Sequence, residues 1–220
     1  GDGSFTVIGR PSLPWCHILS NSRFGTMVSD RALGFTFAGN ARENKLTPWC
    51  NDTRSDNRGE MLLLRVGGKT YDLCNGARAT YSAGRAVYEG QAGSISLRLE
   101  VVVPDDGCAK RLKLELIQQG EEEENVEIAY YTEPVLGVDR RGAARLQSRW
   151  EDGRLFVTNP FQSNFPGSMM LASDAPGARC CCDRAAFLSG RWAEHVLLPL
   201  PDPCGSVIVA RILPPRRREK

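Results

Sequence analysis

Residues 94–118 read SISLRLEVVVPDDGCAKRLKLELIQ. Ile95, Leu97, Leu99, Val101 and Val103 fall on one side of an extended chain. After the break Pro104-Asp105-Asp106-Gly107, Leu112, Leu114 and Leu116 repeat the alternation. Period two with polar residues between is the pattern of antiparallel strands that have one face on a core and the other in water. The stretch decides for β structure.

Moving outward, NVEIAYYTEP (125–134) sets Val126, Ile128 and Tyr130 against Glu127 and Ala129. The run Glu121 to Glu124 before it predicts a solvated hairpin tip, since four adjacent like charges repel inside a packed element. Further strand signals are FTVIG, FGTMVSD, GFTFAG, MLLLRV, KTYDL, AVYEG, ARLQSRW, RLFVTN, SMMLAS and SVIVARIL, punctuated by Gly, Pro, Asn or Asp. Gly67-Gly68 predicts a two-residue hairpin in which both positions need positive φ. DRAAFLSG predicts one helical turn, with Asp183 as N-cap and Gly190 as its end. The expected fold class is all-β, with at most one or two short helices.

Composition agrees with a globular chain. The 220 residues carry 28 basic and 26 acidic side chains for a net charge of +2, and 41% are apolar. This balance lacks the basic footprint of a nucleic-acid binder; the dense run Arg216, Arg217, Arg218 and Lys220 is read as solvated. No stretch approaches the ~18 apolar residues of a membrane span, so membrane insertion is not expected. The eight cysteines include consecutive Cys180, Cys181 and Cys182, and none shows Cys-x-x-Cys spacing. They are read as reduced, mostly buried small hydrophobes, with no metal and no cofactor.

Few residues offer chemistry. His17 and His195 are the two histidines, both in apolar surroundings that suit a structural role; a Cys16–His195 nucleophile pair has nothing to position it. Gly67-Gly68-Lys69-Thr70 ends like a phosphate loop, but Leu63 stands where the first glycine is required. Asn51-Asp52-Thr53 fits a glycosylation sequon that matters only in a secreted protein, and Asp105-Asp106 reads as a turn. The unusual segment is residues 40–60, NARENKLTPWCNDTRSDNRGE, long and without period two, which predicts a loop over the sandwich. Trp49 offers a flat apolar face for a sugar ring, and Arg42, Glu43, Asn44, Lys45, Thr47, Asn51 and Asp52 offer hydroxyl partners. Alternatively Arg pairs with Glu, Pro48 and Trp49 plug the core, and the loop merely seals an end.

Several ordered blocks resemble a known family. PWCHILSNSRFGTMVSDRALGFTFAGNARENKLTPWCNDTRSDNRGE (14–60) resembles the first part of glycoside hydrolase family 94, the cellobiose and chitobiose phosphorylases and the related region of cyclic β-1,2-glucan synthases. LEVVVPDDGCAKRLKLEL, YYTEPVLGVDRR, VTNPFQSNFPG and CDRAAFLSGR resemble later segments of the same domain, with Pro134 where the family usually has Trp and Cys16-His17 where it often has Asn. The resemblance implies an antiparallel β-supersandwich of galactose-mutarotase type, one domain over residues 1–220. In that family the domain precedes a helical barrel that carries the catalytic acid for inverting phosphorolysis. Strands take up residues 1–220, so the barrel is expected to be absent and no catalytic residue is assigned. The resemblance implies that Arg42, Glu43, Asn44, Lys45, Leu46, Thr47, Pro48 and Trp49 shape a sugar subsite or an interdomain contact. It also implies as partners an oligosaccharide, a helical catalytic domain of the same protein and a second subunit in a homodimer. The expected setting is the cytoplasm, or the cytoplasmic part of a larger protein. A free-standing sugar-binding module and a mutarotase-type epimerase are the alternatives.

Overall fold

The computed structural model describes residues 3–50, 59–163, 167–192 and 200–215. Among the described residues, sixteen strands are arranged in four antiparallel sheets. The first sheet comprises β1 (Phe5–Val7), β7 (Arg78–Ser82), β8 (Arg85–Ala92), β9 (Ile95–Val102) and β10 (Arg111–Gln118), in that order. The second runs β15 (Arg179–Asp183), β16 (Pro203–Leu213), β11 (Glu124–Thr132), β5 (Glu60–Val66) and β6 (Lys69–Asp72). Two three-stranded sheets complete the fold: β12 (Gln147–Glu151), β13 (Arg154–Thr158), β14 (Ser168–Ala172), and β2 (Cys16–Ser20), β3 (Phe24–Ser29), β4 (Thr36–Ala38). Among the described residues the helical content is a 3-10 segment, Arg140–Arg145, and one short helix, α1 (Arg184–Leu188). The fold is thus the expected antiparallel all-β supersandwich.

All four sheets feed one apolar core. Leu99 and Tyr88 of the first sheet, Leu64 and Val207 of the second, Leu155 of the third and Leu19 of the fourth belong to the same cluster. Alternation does the sorting: Ile95, Leu97, Leu99 and Val101 are buried, while Arg98 and Glu100 between them reach the surface far enough to pair with each other. Each buried aliphatic side chain contributes about 1.5–3 kcal/mol by leaving water.

The second sheet departs from the one-face-wet expectation. The opposite faces of β5, β11 and β16 carry Met61, Leu63, Ala129, Tyr131 and Ile208, which form a second cluster with Phe187 of α1 and Trp192. Tyr131, Phe187 and Trp192 stack in series with centroids 4.7 and 5.3 Å apart. Arg65 clamps this cover: its guanidinium lies 3.8 Å from the Trp192 ring centre and donates to the Gly190 carbonyl and the Glu127 carboxylate. Asp183 caps α1 by accepting from Ala186 N at 2.9 Å, as the sequence predicts.

The glutamate run Glu121 to Glu124 is not a hairpin tip. β10 pairs with β9 in one sheet and β11 pairs with β5 and β16 in another, so the run carries the chain between sheets. It is solvated, and local charge repulsion is relieved as well in a crossing segment as in a turn. Gly67 and Gly68, at φ 54° and 74°, close the predicted β5–β6 hairpin, which excludes a phosphate loop there.

Candidate functional site

The loop that follows β4 is built from local turns and then sewn to a distant segment. Asn40 Oδ1 accepts from the amides of Arg42 and Glu43, at 2.8 and 3.0 Å, turning the chain back on itself. Lys45 then exchanges backbone bonds with Gly137 in both directions, and Leu46 accepts from Val135 N while donating to the Thr36 carbonyl. Leu136 takes a left-handed backbone, φ 43°, with its side chain fully buried and its carbonyl held by Asn159. That irregular turn brings Gly137 against the loop.

This framework sorts the eight predicted residues. Lys45 is 8% exposed, its ammonium donating to the Arg42 carbonyl at 2.6 Å, and Leu46 joins the core. Thr47 is 2% exposed and its hydroxyl donates to Glu60. Pro48 is half-buried; Asn44 bonds Ala38 through its carbonyl, and its side-chain oxygen is enclosed. Arg42 and Glu43 reach the surface and pair with each other at 3.2 Å. Trp49 is 51% exposed and leans on Phe35, with ring centres 6.1 Å apart. The loop therefore has a buried root, residues 45–47, and a surface display of Arg42, Glu43 and Trp49. Trp49 does not plug the core, although Arg42 and Glu43 do pair. Asn51 and Asp52 lie outside the described residues, as do the sequon, His195 and the basic run from Arg216.

Beneath the root lies a polar centre that the sequence reading missed. Glu60, at 1% exposure, accepts from Thr36 Oγ1, Thr47 Oγ1, Lys110 Nζ and, at 2.6 Å, Tyr130 OH. Lys110 Nζ also donates to the Leu33 carbonyl at 2.8 Å and contacts the hydroxyls of Thr26 and Thr36. Burial, reinforced by the Glu60 charge, pushes the Tyr130 phenol well above its ordinary range, so it stays a donor. Gly34 leaves room for the carboxylate: a Cβ there would sit 2.3 Å from Glu60 Oε1. Enclosed and fully paired, the centre holds the loop and offers no access to a substrate.

Other candidates resolve into structural roles. His17 Nε2 donates to the Ser82 carbonyl at 2.9 Å and its ring stacks on Tyr81. Asp106 pairs with Arg23 in the turn between β9 and β10. Five cysteines are buried and Cys16, Cys50 and Cys108 are exposed; among the described residues no disulfide forms and no cluster of metal-ligating side chains occurs. A second charged group joins Glu133 to Arg184 and Arg140, both of which also reach Asp202, at the end of β11.

Four antiparallel sheets on a common core, with an aromatic loop rooted in the sandwich and only short helical segments among the described residues, define an antiparallel β-sandwich domain. Residues 6–195 match the model of the supersandwich domain of glycosyl hydrolase family 94, and the chain belongs to that family. It is also 31% identical over 206 residues to the cyclic beta-(1,2)-glucan synthase NdvB of Rhizobium meliloti (strain 1021), an alignment that covers 84% of this chain. The chain spans about 7% of the length of that relative. Among the described residues no helix is long and apolar enough to cross a membrane.

Proposed function

We propose that residues 1–220 form one non-catalytic domain of a protein of the glycoside phosphorylase or glucan synthase type. In this reading it presents the 42–49 loop to a sugar site and packs on a helical barrel that carries the reaction. The reaction expected of the parent is inverting: phosphate attacks the anomeric carbon while a carboxylic acid of the barrel protonates the leaving oxygen. Five buried thiols without disulfides among the described residues suit a reducing, cytoplasmic compartment.

One observation carries the sugar role: Trp49 stands half out of the surface two residues after Thr47, which Glu60 holds, on a loop that also displays Arg42 and Glu43. An exposed aromatic ring on a loop anchored in the core, with hydrogen-bonding groups on the same loop, suits a pyranose ring, and anchoring the loop lowers the entropy lost on binding. Calorimetric titration with cellobiose, chitobiose and β-1,2-linked glucose oligomers is the test. Binding to at least one of them, weakened roughly tenfold or more by Trp49→Ala, is the expected result. Absence of heat with every sugar leaves only a scaffold, and release of sugar phosphate from a disaccharide by this chain alone overturns the non-catalytic reading. His17, spent on Ser82 and Tyr81, gives a mutarotase mechanism no support.

A further inference from the structure

The two sides of β4 do different work. Thr36 points inward to Glu60 and Lys110, whereas Phe35 and Phe37, two residues apart, share the outer side of the β2-β3-β4 sheet. Their ring centres are 5.5 Å apart with planes 30° from parallel, and Trp49 continues the row beyond Phe35 at 6.1 Å and 40°. Phe37 can lie across β3 because Gly25 stands opposite it. A Cβ at that position would come 2.4 Å from the end of the ring. The result is a row of three rings, Phe35 and Phe37 partly buried and Trp49 exposed, tilted modestly rather than packed edge to face.

Each ring is comparable in size to one pyranose. The row leads away from Trp49 along the sheet, and its other end is Phe37, which pairs with Lys45 of the loop. Because Thr36 is held from behind by Glu60, the backbone that carries Phe35 and Phe37 is set before anything binds. A row of aromatic rings beside a polar loop fits the alternating C–H and hydroxyl surfaces of a sugar chain. A protein partner would more naturally meet a pocket that receives an anchor side chain.

We infer that Phe35, Phe37 and Trp49 form one platform that holds more than one consecutive glucose unit of a β-linked glucan, with Phe37 serving the unit farthest from Trp49. This rests on the sugar-site reading of Trp49 and adds to it a requirement for chain length. The test measures affinities of β-1,2-linked di-, tri- and tetrasaccharides for the chain and its variants by calorimetry. Thermal melts establish that each variant is folded. The parent chain is expected to bind the tetrasaccharide more tightly than the disaccharide. Phe37→Leu keeps an apolar side chain over Gly25 while removing the ring face. It should cost roughly tenfold on the tetrasaccharide and leave the disaccharide unchanged; Phe35→Leu should weaken both, as Trp49→Ala does.

If affinity does not grow with length, or if the growth survives Phe37→Leu, the platform is overturned. The single-ring reading of Trp49 then stands, provided Trp49→Ala still weakens the disaccharide. If no oligosaccharide binds, both readings fall together. Should the rings prove protected only by a second protein domain, with no effect of length, the surface is a domain contact and the inference is wrong.

Discussion

Glu60 shows how a single buried charge organises its neighbourhood. Four side chains converge on its carboxylate, from β4, the loop, β11 and the residue preceding β10. Burying an ion pair is costly, and satisfied partners make it tolerable; removal of one partner is far worse than removal of both. Lys110→Met is therefore expected to destabilise the protein by about 3–5 kcal/mol in urea unfolding, and Lys110→Met combined with Glu60→Leu to recover part of that loss. Equal losses for the single and double variants would show that the pair contributes little beyond packing. None of this was legible in the sequence. Glu60 looks like one more charge in a polar stretch, and its partners at positions 36, 47, 110 and 130 become neighbours only through the tertiary fold.

At the scale of elements, what could be read depended on whether one face met water. β9 and β10 alternate cleanly because the first sheet has a solvated side. β15, RCCCD, buries three successive cysteines between two covers, so no period survives and the strand escaped notice. β2 and β7 were also missed, being short and built partly from small or polar residues. The turns were clearer, since Gly67-Gly68 and Asp183 carry their geometry in their residue types. The Asp183 cap gives a second prediction: Asp183→Ala orphans the Ala186 amide and should cost about 1 kcal/mol by thermal or urea unfolding. A much larger loss would mean that α1 holds Trp192 over β5 and β11 more firmly than its own cap suggests. For the site, Trp49 and the Arg42–Glu43 pair were legible as a polar, aromatic loop. The burial of residues 45–47 was not, because it depends on pairing with Val135 and Gly137.

For the molecule as a whole, the tyrosines set an upper pH limit. Tyr81, Tyr88, Tyr130 and Tyr131, four of five in the chain, are raised above their ordinary range, in each case first by burial. An unfolded chain releases its phenol protons near pH 10, whereas the native state keeps them. This contribution to stability is complete below about pH 10 and is lost as pH rises above it, because the native state there binds more protons than the unfolded one. Denaturation midpoints should fall steeply above that pH, and phenolate absorbance should appear together with loss of structure. Phenolate formation in a still-folded protein would contradict the burial of these rings.

The convergence on Glu60 also bears on the order in which the chain emerges during synthesis. Its counter-charge arrives with residue 110 and its phenol donor with residue 130, long after the acid itself. A nascent or truncated polypeptide ending before Lys110 carries the first strands of all but one sheet, yet has no cation for the acid at their junction. Such a fragment should remain open to protease, and the passage to a resistant form is expected once residue 130 has been reached and its strand has found β5.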